Sequence, residues 1–152
     1  FAGDRDKVKS MVYVSALQPE VGENMSQLLS SMPAPSNDVM QTRDGHLFFD
    51  RTKFNADFAA DLTTNRTDFM AASQVPATTA LFGGTVWAAA WHKKPTYAVV
   101  STEDRALSPD LQRWMYKRAG SKVTEIKASH SVYISQPEAV AKVIEDAASV
   151  IK

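Results

Sequence analysis

Two polar side chains in the last third of the chain have the types and positions needed for acid–base chemistry. Asp104 follows the apolar run 96–101, and His130 follows the run 122–127. A carboxylate bonded to one imidazole nitrogen fixes the histidine tautomer and leaves the other nitrogen as a general base. A single loop histidine is more often structural, but the matching carboxylate favours a catalytic pair. Glu103 competes with its neighbour Asp104 for the role of the acid.

The two apolar runs are predicted to be neighbouring strands of a parallel sheet. Between them, Ser108 and Pro109 are typical of a helix start, and Gly120 is expected to end that helix. A second helix is predicted to begin at Pro137. Strand, helix, strand, helix indicates parallel strands whose carboxyl ends meet at one edge of the sheet. Because adjacent strands lie about 4.8 Å apart, the loops that follow them can bring the acid and the base into hydrogen-bond reach.

A further strand and a long insertion complete the predicted organisation. Residues 8–16 are rich in β-branched and aromatic residues, which predicts another buried parallel strand. In 123–126 apolar and polar residues alternate, which is typical of a strand at the edge of a sheet. The segment 24–94 is too long for a single crossover and is interpreted as an inserted, mainly helical cap. The predicted domains are therefore an α/β core made of 1–23 and 95–152, and a cap made of 24–94.

Aromatic residues are concentrated in this insertion, which predicts a lid over an apolar pocket. Most of them are expected to pack the cap onto the core. Phe58, Phe69 and Trp87 are the candidates for contact with a substrate. Thr67 is expected to cap a helix that contains Phe69. The aromatic set consists of Phe48, Phe49, Phe54, Phe58, Phe69, Phe82, Trp87 and Trp91.

The composition argues against several classes of function. Seventeen basic and seventeen acidic residues give a formal net charge of zero, so no field favours nucleic acid or an anionic membrane. The absence of cysteine excludes disulfides, thiolate catalysis and thiolate metal sites. His46 and His92 have no partner at metal-ligand spacing, and no glycine-rich phosphate loop is present. No metal or cofactor is expected, no segment is long and apolar enough to span a membrane, and a small neutral or apolar ligand fits best.

No nucleophile motif accompanies the pair. The chain contains no G-x-S-x-G, and the pair Gly120-Ser121 follows a predicted helix rather than a buried strand. The sequence therefore predicts that a nucleophile lies outside these residues or is absent. The sequence starts at Phe1 rather than Met, and residues 1–6 lack the basic start and apolar middle of a signal peptide, so we expect a chain trimmed at its front.

Several stretches of the chain resemble bacterial α/β-hydrolases, the small esterase-like relatives of hydroxynitrile lyases and plant methylesterases. The resemblance covers nearly the whole chain, including the cap. It implies strands six to eight of the hydrolase sheet, with the cap between strands six and seven. It also implies Asp104 as the acid and His130 as the base of a catalytic triad. The stretches are MVYVSA at 11–16, DFAAD at 57–61, SQVP at 73–76, VSTEDR at 100–105, LQR at 111–113 and ASHSVY at 128–133.

The resemblance also carries expectations about activity. Hydroxynitrile lyases of this family have a lysine after the catalytic histidine, whereas this chain has Ser131, so hydrolysis of small esters is expected instead. The first five strands, the oxyanion loop and the nucleophile elbow of the family are missing, and we expect the chain alone to be inactive. The strand around Val12 would then have an unpaired edge, through which it could pair with another chain. A bacterial, cytoplasmic location is favoured.

Two other hypotheses stay open at this stage. The chain could belong to a non-catalytic protein of the same fold, in which the pocket binds a small apolar ligand and the acid–histidine pair is structural. It could also be a self-contained three-stranded domain that acts through partners. A cooperative, monomeric melt of the isolated chain would favour that last hypothesis.

Overall fold

The computed structural model describes residues 5–36 and 38–149. Residues 1–4, 37 and 150–152 lie outside this range, and with them the predicted first and last residues of the α/β core. In chain order the elements are β1 (Met11–Val14), α1 (Met25–Ser31), β2 (Val39–Gln41), β3 (His46–Phe49), α2 (Phe54–Phe58), α3 (Thr64–Ala72), β4 (Ala77–Thr78), α4 (Thr79–Gly83), a 3-10 turn (Ala90–His92), β5 (Thr96–Ser101), α5 (Pro109–Arg118), β6 (Lys122–Ile126), α6 (Val132–Ser135) and α7 (Pro137–Ser149).

The main sheet has three parallel strands in the order β1-β5-β6. Every residue of the central strand β5 is buried, because this strand has a neighbour on each side and a helical layer on each face. β6 lies at one edge, as its alternating pattern predicts. β1 is shorter than the predicted 8–16 and only half buried, and among the described strands it pairs with β5 alone.

Both helices that pack on this sheet begin where the sequence predicts, and the first also ends there. The Ser108 side chain accepts a hydrogen bond from the Leu111 amide, and Pro109 is the first residue of α5. Gly120 follows that helix with φ +64°, a left-handed conformation that glycine adopts without a steric penalty. Pro137 begins α7. Both predicted helices are therefore confirmed.

Two apolar clusters enclose the main sheet. On one face, Leu111 and Met115 of α5 pack against β5 together with Leu28 of α1. On the other face, Val140 and Val143 of α7 pack against the opposite side chains of the sheet. Because both faces are covered, the loops at the carboxyl ends of β5 and β6 extend from a closely packed sheet.

The segment predicted as the cap contains four helices and also a small antiparallel sheet, β2-β3-β4, which the sequence analysis did not predict. The turn between β2 and β3 uses Gly45 at φ +83°, which matches the twist of a tight hairpin. The predicted capping role of Thr67 is wrong. α3 begins at Thr64, and Thr67 is buried inside it, where its hydroxyl accepts a hydrogen bond from Asn55 and donates one to the Thr64 carbonyl.

None of the helices within the described residues is long and apolar enough to cross a membrane.

Candidate active site

Asp104 lies in the loop that follows β5, and its carboxylate is fully hydrogen-bonded. Oδ1 accepts from the backbone amides of Ala106 and Leu107, both at 2.9 Å. Oδ2 accepts from Nε2 of Gln112 at 2.8 Å. The residue is 1% exposed. A buried carboxylate is stable in a fold only when it is bonded in this way, so its orientation is fixed.

His130 lies in the loop after β6, and its Nδ1 is 2.7 Å from Oδ2 of Asp104. Its side chain is 21% exposed. With Nδ1 engaged by the carboxylate, Nε2 is the nitrogen left to exchange a proton with another molecule. The hydrogen bond between the loops that follow two adjacent strands is as the sequence predicts.

The structure also shows which of the two neighbouring acidic residues contacts the histidine. Glu103 is exposed, and its carboxylate is 3.6 Å from Nζ of Lys127 rather than near the imidazole. Asp104 is therefore the acid that contacts His130.

A cavity of about 1140 Å³ lies between the cap and the carboxyl end of the sheet. His130 is in its wall and is the one ionisable side chain among the described residues that line it. The remaining wall is apolar with a few neutral polar groups. Its aromatic residues are Phe48, Phe49, Phe54, Phe58, Phe69 and Phe82.

The three aromatic candidates have different positions relative to this cavity. Phe58 lines it, and its ring centroid is 4.6 Å from that of His130. Phe69 also lines it, although the residue is 73% exposed. Trp87 is 91% exposed and is not among the residues that line the cavity. The structure therefore brings two of the three together with the histidine.

Sequence reasoning missed a feature at the end of β1. Ser15 has φ +46°, an unfavourable conformation for a residue with a side chain, and it also lines the cavity. Its hydroxyl is 2.6 Å from that of Ser101, at the end of β5. The next residue, Ala16, exchanges two hydrogen bonds with the buried Tyr116 hydroxyl. No sequence signal marks a strained serine, because the strain is imposed by these tertiary contacts.

Sequence reasoning also missed Asp61, which lies between α2 and α3. Its carboxylate accepts hydrogen bonds from the amide and hydroxyl of Ser129 and from the hydroxyl of Ser135. Partial burial acts to raise the pKa of Asp61, but these hydrogen bonds outweigh it and hold the pKa below its ordinary value of 3.8. The one feature of the sequence that could have pointed to Asp61 is that the stretch 57–61 contains two acidic residues.

No group of acidic or histidine side chains among the described residues is arranged to bind a metal ion.

The alpha/beta hydrolase family matches this chain over residues 2–143, and the chain belongs to that family. A search of curated proteins found no match. The parallel sheet, its flanking helices and the cap form part of an α/β-hydrolase fold, as the resemblance implied.

Three solved structures illustrate the fold. A pyrethroid hydrolase from Sphingobium faniae is 21% identical with a TM-score of 0.70, and the match covers 93% of this chain and 61% of that one. Polyneuridine aldehyde esterase is 17% identical with a TM-score of 0.73, covering 93% and 62%. A methylesterase from Arabidopsis is 13% identical with a TM-score of 0.76, covering 96% and 61%. The chain thus spans less than two thirds of each of these proteins.

Proposed function

We propose that this chain contributes the acid and the base of a serine hydrolase that cleaves esters carrying uncharged, apolar groups. The observation that carries the proposal is the 2.7 Å contact between Asp104 and His130 in the wall of an apolar cavity. Membership of the hydrolase family and the esterase names of two similar structures support it. The nucleophilic serine and the oxyanion donors would come from a part of the protein outside these residues.

In this mechanism Nε2 of His130 takes the proton from the serine hydroxyl as the serine oxygen bonds to the ester carbonyl carbon. Asp104 bonds to the Nδ1 proton and stabilises the imidazolium that forms. The imidazolium then gives its proton to the departing alcohol, and the carbon–oxygen bond of the ester breaks. Water repeats the sequence on the acyl-enzyme and releases the acid. Both serine and histidine return to their starting states.

The cavity supports the proposed class of substrate. Apart from the general base His130, the described wall contains no ionisable side chain, so a charged substrate group would lose its hydration without gaining an oppositely charged partner. Apolar groups would be taken up through burial of their surface. Phe58, beside the imidazole, and Phe69, further along the wall, are proposed as substrate contacts.

The exposed edge of β1 fits the same proposal. Among the described residues, β1 pairs on one side only, and its side chains are half buried. We propose that the remainder of the hydrolase sheet, or another chain, pairs with this edge near Val12.

The experiment uses the whole protein that contains this chain, with p-nitrophenyl acetate and p-nitrophenyl butyrate as substrates. His130→Ala is expected to lower kcat by roughly 10³-fold or more, because the proton transfer loses its base. His92→Ala is the matched control, since His92 also contacts a carboxylate, that of Glu20 at 2.8 Å, but at the surface. It should leave kcat unchanged.

Ester hydrolysis that survives in His130→Ala would disprove the proposal. A wild-type protein that binds an apolar ester in the cavity without cleaving it would indicate the non-catalytic, ligand-binding alternative.

A further inference from the structure

The loop that carries His130 is bonded to the cap by Asp61. The Ser129 amide donates to Oδ2 of Asp61 at 3.0 Å, and the Ser129 hydroxyl donates to Oδ1. The Ser135 hydroxyl donates to Oδ2 at 2.7 Å. Asp61 thus bonds Ser129, immediately before the histidine, and Ser135, five positions after it. Hydrogen bonds to an ionised acceptor are about twice as strong as neutral ones, so these contacts restrain the loop effectively.

A second set of bonds joins the same loop to the end of α2. The amide and the hydroxyl of Ser131 both donate to the Phe58 carbonyl, each at 3.1 Å. The Phe58 ring lies against the imidazole. The residues on both sides of His130 are therefore bonded to cap residues 58–61. Because β6 is an edge strand, this contact restrains the loop on a side where no further described strand supports it.

The same part of the cap also reaches the loop that carries Asp104. Asp57 is buried, and its Oδ1 is 3.8 Å from Nε of Arg105, the residue after Asp104. Residues 57–61 thus contact the segments that carry both members of the pair.

We propose that Asp61 is a positioning residue, which anchors the 129–131 loop to the cap and so aligns the His130 imidazole with Asp104. The catalytic consequence of this inference rests on the proposed hydrolase function. The positioning itself does not, since it concerns the geometry of the imidazole. An error of about 1 Å in the placement of a reacting group can cost roughly 100-fold in rate, so a carboxylate that touches no substrate can still determine kcat.

The first test compares Asp61→Ala with wild type in the whole protein. We expect kcat to fall roughly 10- to 100-fold while KM changes by no more than about twofold, because binding of the ester is retained and the proton transfer is misaligned. Asp61→Asn should give a smaller loss, since its amide oxygen can still accept the two hydrogen bonds that Oδ2 of Asp61 accepts from Ser129 and Ser135. A rise in KM with kcat unchanged would show that Asp61 only shapes the pocket, and it would overturn the proposal.

The second test observes the imidazole directly and needs no activity. In protein with isotope-labelled histidine rings, the NMR signal of the His130 Nδ1 proton that bonds to Asp104 is expected to be weaker or shifted in Asp61→Ala relative to wild type. His130→Gln identifies the signal. If the protein hydrolyses no ester, the proposed function fails while a changed ring signal still supports the positioning role. An unchanged ring signal would overturn that role.

Two further variants separate positioning from a loss of folding. Ser129→Ala removes one of the donors to Asp61 and should lower kcat roughly threefold or more, in the same direction as Asp61→Ala. Asp68→Ala changes another exposed acid of the cap, on α3, and should leave kcat and the ring signal at wild-type values. If Asp61→Ala does not fold, an unchanged kcat in Ser129→Ala overturns the proposal.

Discussion

Gln112 and His130 contact the same oxygen of Asp104. Nε2 of Gln112 donates to Oδ2 of Asp104 at 2.8 Å, and Nδ1 of His130 is 2.7 Å from that oxygen. Gln112 also donates to the Leu107 carbonyl and accepts from the Ser101 amide. The amide is therefore a brace between helix α5, the end of β5 and the acid.

Replacing Gln112 with Ala should lower both stability and activity. The buried carboxylate loses a donor, and the Leu107 carbonyl and Ser101 amide each lose a partner, so the free energy of unfolding should fall by about 1–3 kcal/mol. Chemical denaturation measures this change, and kcat for ester hydrolysis should fall with it. Gln136→Ala, at an exposed position after α6, should change stability by less than about 0.5 kcal/mol. Equal effects of the two substitutions would contradict the bracing role.

Tyr116→Phe should destabilise the turn that follows β1. The buried hydroxyl donates to the Ala16 carbonyl at 2.8 Å and accepts from the Ala16 amide at 2.9 Å. Removing it leaves both backbone groups without this partner, at a cost of about 1–3 kcal/mol in the free energy of unfolding. Tyr133→Phe serves as the control, because that residue is exposed. A thermal melt of Tyr116→Phe that matches wild type would refute the expectation.

The same hydroxyl should make stability depend on alkaline pH. Burial raises the pKa of Tyr116 well above its ordinary value of 10.0, so the folded protein disfavours the phenolate. The stability contributed by the neutral hydroxyl is fully present below pH 10 and is lost progressively as the pH rises further. The free energy of unfolding, measured by chemical denaturation at several pH values between about 9 and 11, should therefore fall more steeply with pH for wild type than for Tyr116→Phe.

The contact between Asp104 and His130 could be predicted because its geometry follows from local rules. Apolar runs, a capped helix and parallel connections place Asp104 and His130 at one sheet edge, whatever the rest of the chain does. The choice between Asp104 and Glu103 could not be made in this way. Neighbouring residues point in different directions, and only the packed loop shows which one is buried.

Features that depend on distant contacts were missed for a physical reason. Asp61 and Ser129 are separated by 68 positions, and no periodicity links them. The small sheet of the cap likewise pairs His46 with Thr78 across two helices. Composition predicted an aromatic-rich cap, but which rings face the cavity is set by the fold, and so Trp87 could not be distinguished from Phe58.

That difference in position predicts a difference in substrate binding. Phe69→Ala removes an aromatic ring from the cavity wall and should raise KM for a bulky apolar ester by roughly 3- to 30-fold, since it removes apolar contact area. Trp87→Ala changes an even more exposed aromatic residue outside that wall and should leave KM unchanged. Steady-state kinetics with p-nitrophenyl butyrate measure both. A larger effect at Trp87 would place the substrate elsewhere on the cap.

Asp61 should make stability depend on acidic pH, in the opposite sense to Tyr116. The hydrogen bonds from Ser129 and Ser135 outweigh partial burial and lower the pKa of Asp61 below 3.8, so the folded state favours the carboxylate. Its contribution is present above about pH 4 and is lost as the pH falls through the lowered pKa. Between about pH 5 and 2, Asp61→Asn should therefore lose less stability than wild type. Asp68→Asn, at an exposed site on α3, should follow the wild-type curve. Parallel curves for wild type and Asp61→Asn would show that the Asp61 carboxylate does not stabilise the folded loop.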